Sequence, residues 1–115
     1  MKLNFIKKNP KEEFERDKNL LIEIQNILSI NKENKDYITD EEIFSKLDVF
    51  NVNIKYFLYT NNNEFLKYFK KDLEINKFIE LENLTQELRN NLKNKDIQMK
   101  ILKVIQYILS KINSK

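Results

Sequence analysis

The chain contains no glycine, histidine, cysteine, tryptophan or alanine, one proline (Pro10) and only two arginines, Arg16 and Arg89. Each absence removes a class of function. Without cysteine there is no disulfide framework, no thiolate metal site and no thiol nucleophile. Without histidine no side chain titrates near neutrality at its ordinary pKa, and the common zinc and haem sites lose their remaining ligand. Without glycine no phosphate-cradling loop of the Walker or dinucleotide type can form. Unbroken apolar runs reach only about four residues, as in Tyr56–Tyr59, far short of the roughly 20 that span a bilayer. The basic stretch Met1–Lys8 lacks the apolar segment of a signal peptide, so the expected location is cytoplasmic, with no membrane involvement.

The residues that are abundant have a simple origin. Lysine, asparagine and isoleucine number 19, 17 and 15 of the 115 residues. Their codons are AT-rich, whereas those of glycine, alanine and proline are GC-rich, so a GC-poor genome accounts for the profile. The net charge of +3 and pI near 9.0 therefore carry little functional weight: lysine is cheap in such a genome, and 18 acidic residues nearly balance 21 basic ones. A hydrophobic fraction of 41% suffices for one core. We expect a single domain over 1–115, with 1–8 as an extended or mobile tail.

Apolar spacing predicts an all-α fold, an irregular bundle of about five helices. Asn9-Pro10-Lys11-Glu12-Glu13 carries a cap, a first-turn proline and dipole-matched acids. It opens a helix over 10–30 whose inward face includes Phe14, Leu21, Ile24 and Leu28. Residues 31–36 follow as a polar loop. Thr39-Asp40-Glu41-Glu42 has the form of a capping box and starts a short helix through Leu47. Residues 52–59 suit two readings. Val52, Ile54, Tyr56 and Leu58 alternate as in a short strand, but Ile54, Phe57 and Leu58 also fit a helix. No second convincing strand offers a partner, so helix is the expectation. A ten-residue helix through Phe65, Leu66, Phe69 and Leu73 and another over 76–93 follow. Asn94 is the expected left-handed terminator and Asp96 the cap of a last helix, 97–112. Ten apolar residues between Ile97 and Ile112 give that helix a wide apolar arc, suited to the centre of the bundle or to a homodimer interface.

No catalytic residue, cofactor or metal site is expected. The four serines (Ser29, Ser45, Ser110, Ser114) have no activating neighbours. The acid clusters Glu12-Glu13-Glu15-Asp17 and Asp36-Asp40-Glu41-Glu42 mark helix starts, where the dipole and solvent account for them. The leading expectation is a non-enzymatic interaction protein that binds a macromolecular partner, a protein foremost, in the manner of a phage- or plasmid-type inhibitor or adaptor. Nine of the 13 aromatics fall between Phe44 and Phe78, interleaved with lysine. The residues expected to contact a protein or nucleic-acid partner are Lys55, Tyr56, Tyr59, Asn61, Asn62, Lys67, Tyr68, Lys70 and Lys71. The plainer account has the Phe rings as core and the Tyr and Lys side chains shielding its edges.

The alternative is a small DNA-binding regulator with a helix-turn-helix over 39–60. Ile43, Leu47, Val49, Ile54 and Phe57 would be its buried positions, and a second helix near 53–60 would enter the groove. Phe44 and Asp48 depart from that pattern, where a small residue and a turn glycine are expected. Five apolar matches also arise by chance in roughly one window in a hundred.

Overall fold

In the computed structural model, which describes residues 10–33, 40–59 and 63–113, every regular element is helical. Pro10 occupies the first position of α1 (Pro10–Glu33), with Glu12 and Glu13 in its first turn, where a missing N–H costs nothing and negative charge meets the helix dipole. The helix then buries Phe14, Leu21, Ile24, Ile27 and Leu28, one stripe at three- and four-residue spacing. It extends to Glu33, past the polar loop expected from Asn31. Asn9, Thr39 at the start of the capping box, and the 1–8 tail lie outside the described residues.

Helix α2 (Asp40–Tyr59) is one uninterrupted helix of 20 residues. The strand reading of 52–59 is thereby corrected, and so is the helix-turn-helix. No turn occurs at Asp48-Val49, so 39–60 supplies no second, crossing helix to enter a groove. Ile43, Leu47, Phe50 and Ile54 already form a continuous buried stripe, and bending the helix at Asp48 would break it. Val49, expected inside, is exposed.

The ten-residue helix expected around Phe65–Leu73 is a single turn, α3 (Asn63–Leu66). Its continuation is diverted into an antiparallel bridge between Phe69 and Ile112. There the Lys70 N–H donates to the Lys111 carbonyl (2.6 Å) and the Asn113 N–H to the Tyr68 carbonyl (2.8 Å). The Asn113 amide adds bonds to the Lys67 and Phe69 carbonyls. Cross-chain bonds thus replace the helical ladder while Phe65 and Phe69 both stay buried.

Helix α4 (Asn76–Asn90) leads through a short loop to α5 (Lys95–Ser110). Asn94 does not terminate α4 in the left-handed region. Its backbone is extended (φ −71°, ψ 105°), and its side chain accepts from the Ile97 N–H at 3.1 Å, so it caps α5. The extended backbone is what an N-cap requires. Asp96 lies in the first turn instead, where its charge still favours the dipole. The loop is closed by Gln98, fully buried, whose amide donates to the Leu92 carbonyl at 2.9 Å.

The helices close a circuit: α1 packs on α2, α2 on α4, α4 on α5 and α5 on α1. The two broadest interfaces both belong to α5, whose Ile101, Leu102, Val104, Ile105 and Ile108 are buried. Polar pairs fix the register of α2. Asn53 donates to Asp17 and Lys46 pairs with Glu23, both on α1; Asn51 donates to Thr85 and Lys55 pairs with Glu82, both on α4. In each set one number rises as the other falls, so α2 runs antiparallel to both neighbours. No helix of the described residues is long and apolar enough to cross a membrane.

Candidate functional site

The aromatic centre is first of all a structural joint. Phe14 stacks on Tyr68 (centroids 4.6 Å apart, planes 17°) and meets Phe65 and Phe69 edge-on at 5.9 and 5.4 Å. Phe69 meets Phe78 at 5.8 Å, and Phe78 lies 6.4 Å from Phe50. Edge-to-face and offset contacts of this kind are the favourable ones between rings. Four elements therefore meet on one aromatic cluster, and Tyr68 spends a ring face on Phe14 that would otherwise be open to a base. For Phe14, Phe50, Phe65, Phe69 and Phe78, all buried, the plainer account is the one observed.

The expected contact residues divide between two places. Lys55 and Tyr56 lie on α2, exposed, and Tyr59 is its last residue. Lys67, Lys70 and Lys71 line a cavity of about 630 Å³ on the segment after α3. Asn61 and Asn62 lie outside the described residues.

The α2 surface was only partly foreseen. Val49, Val52 and Tyr56 recur at three- and four-residue spacing with 53%, 58% and 47% of their surface exposed, so they form one outward apolar stripe. Beside it, Lys55 Nζ lies 2.8 Å from Glu82 Oε1 on α4, and one helical turn from Glu82 is exposed Ile79. Sequence spacing assigns Val49 to a buried helix-turn-helix position and Val52 to a strand alternation, and only the continuous helix turns both outward.

The cavity is floored by Leu66, Phe69, Leu73 and Ile75 and edged by Asn113. Ile75 precedes α4 with helical dihedrals (φ −59°, ψ −30°), so it shares a face with Ile79 one turn on. The cavity wall is fixed from behind by the end of α5. Lys111 Nζ lies 2.7 Å from Asp72 Oδ2, and the Glu74 N–H donates to the Tyr107 hydroxyl at 2.9 Å. Both Lys77 and Lys111 place an ammonium 5.5 Å from the Tyr107 ring centre, within cation–π range. The Lys111 hydrogen bond holds the Asp72 carboxyl below its ordinary range, and Asp72 in turn holds the Lys111 ammonium above its own. No local pattern marks Leu73, Ile75 or Asn113 as cavity residues, because contacts between residues far apart in the chain, the Phe69–Ile112 bridge among them, bring the two segments together.

Among the described residues no three carboxylates converge as a metal-binding group. Asp17, expected in a solvated helix start, is instead buried and accepts from Asn53 Nδ2 at 2.9 Å. None of the apolar residues of α5 is exposed: Lys100, Lys103, Gln106 and Ser110 make its outward face. Most of its wide arc packs into the chain's own core, with Ile97, Met99, Tyr107 and Leu109 partly buried. Comparison with known proteins finds no matching family model, no matching curated protein and no matching solved structure.

Proposed function

We propose that this chain is a non-enzymatic interaction protein that holds another protein through the outward face of α2, with the neighbouring turn of α4. The observation that carries the reading is the exposed stripe Val49–Val52–Tyr56. A helix in a four-membered circuit has one face for the core, two flanks for its neighbours and one for water, and here that last face is apolar. Protein interfaces are depleted in charge at their centres and favour tyrosine. The nearest lysine, Lys55, is paired with Glu82, and the other charge bordering the stripe is the exposed carboxylate of Asp48, one turn before Val52. A partner can cover it without leaving an uncompensated cation. The lack of histidine and cysteine supports binding rather than turnover, in the manner of an inhibitor or adaptor.

The test is position-specific photocrosslinking in the native host. A photoreactive residue at Val52 or Tyr56 is expected to yield one discrete protein adduct, and one at Lys103 on the outward face of α5 none. Val52→Glu should abolish the Tyr56 adduct while leaving stability within about 0.5 kcal/mol, as for ordinary surface changes. Equal, diffuse labelling from all three positions, or adducts formed only with nucleic acid, would overturn the reading.

A further inference from the structure

The chain between Leu66 and Ile75 sorts its charges by side. Its two acidic residues are tied to the end of α5: Asp72 pairs with Lys111 at 2.7 Å, and the Glu74 N–H donates to the Tyr107 hydroxyl at 2.9 Å. Its lysines, Lys67, Lys70 and Lys71, line the cavity, over a floor that includes Leu66, Leu73 and Ile75. Lys70 also acts weakly on Asp72, but the acid's hydrogen bond is to Lys111. The result is an apolar depression with a cationic edge, about 630 Å³ in volume, inside the range of roughly 300–1,000 Å³ typical of ligand sites.

We propose that this cavity receives a short acidic segment of the protein partner, one apolar side chain resting over Leu66, Leu73 and Ile75 while flanking carboxylates meet Lys67, Lys70 and Lys71. The proposal rests on the reading of the chain as a protein-binding one and names the chemistry its partner must carry. Charge complementarity selects an anionic occupant, and the aliphatic floor selects one with an apolar residue among its acids. Nucleic acid fits less well. Binding a single strand calls for ring faces on which bases stack, yet Tyr68 is stacked on Phe14 and Phe69 is buried. The two surfaces are linked, since Ile75 of the cavity and Ile79 beside α2 lie one turn apart on α4.

Fluorescence anisotropy on the purified full chain tests this, with a labelled peptide of alternating glutamate and leucine. We expect saturable binding at low salt, weakened about tenfold or more by Lys70→Glu/Lys71→Glu and severalfold by Ile75→Ser. Lys103→Glu, on the outward face of α5, should leave it unchanged. A peptide with serine for every leucine should bind at least about tenfold more weakly than the leucine form. All the substituted positions are exposed, and circular dichroism melts establish that each variant is folded. Absence of saturable binding would overturn the proposal. So would equal binding of the serine peptide, which would mean a bare polyanion site, or tighter binding of single-stranded DNA of equal charge through the same lysines. A discrete Val52 adduct in the host with no peptide binding would sink this inference alone. Peptide binding without that adduct would instead sink the α2 surface.

Discussion

At the scale of single residues, the informative groups are the polar ones that the core admits. Thr85 is fully buried, donates to the Leu81 carbonyl and accepts from Asn51. Thr85→Val would strand the Asn51 amide, and we expect a loss of about 1–3 kcal/mol by urea unfolding. The double replacement Asn51→Leu/Thr85→Val should recover most of it, because no donor is then left unmet. Full additivity of the two single losses would refute the pairing. Asn94→Ala, removing the α5 cap, should cost about 1 kcal/mol in the same assay. The Asp72–Lys111 pair sets a pH dependence with a definite sign. The depressed Asp72 contributes stability above the ordinary carboxylate pKa and loses it as pH falls through the folded value. The raised Lys111 contributes below the ordinary lysine pKa and loses it as pH rises through its own folded value. The clasp is therefore intact across the neutral window. The gap in melting temperature between wild type and Lys111→Met should be small, since the Asp72 carboxylate is exposed and the pair is open to solvent screening, and should close toward acid pH. A gap that persists unchanged below the carboxylate range would deny the pair its role.

At the scale of elements, the decisive feature is the continuity of α2. Local signals at Asp48-Val49 are equally compatible with a turn, since neither residue is a strong helix former. What holds the helix through them is the buried series Ile43, Leu47, Phe50 and Ile54, docked against α1 and α4 at once. A proline at Val49 distinguishes the two cases: in a turn it would be tolerated, whereas within α2 it should cost about 3 kcal/mol or more by thermal or urea melt. Val49→Ala, which keeps the helix and removes exposed surface, should be close to neutral. The segment after α3 teaches the opposite lesson. Phe65, Leu66, Phe69 and Leu73 have helical spacing, yet the backbone beyond Leu66 leaves the helix. Local turn bonds hold Tyr68, Phe69 and Leu73, while the Lys70 N–H and the Tyr68 carbonyl are satisfied by Lys111 and Asn113 across the chain. Spacing reports which side chains go inward, not which partner the backbone takes. The cap residues of α4 and α5, namely Ile75, Asn91, Asn94 and Lys111, all keep a negative φ, from −59° at Ile75 to −152° at Asn91.

At the scale of the whole molecule, the four long helices make one circuit with the aromatic cluster as a shared joint. Since no apolar residue of α5 is exposed, we expect a monomer in sedimentation at high concentration, and Ile105→Ala, at a fully buried position, to cost about 2–5 kcal/mol. A stable dimer dispersed by a charge at Leu109 would contradict that arrangement. The sequence by itself determined the helical class, the inward stripe of α1, the bounds of α4 to within a few residues and the wide apolar arc of α5. All of these are periodicities within one helix, set by side chains that must share a face. Only the tertiary structure decided that 40–59 is a single helix, that the Phe rings are core, that Lys67, Lys70 and Lys71 surround a cavity closed by Asn113, and that Val49, Val52 and Tyr56 look outward. Those outcomes depend on which faces meet across the bundle. That is settled by burial and backbone pairing between residues far apart in the chain, which no local pattern encodes.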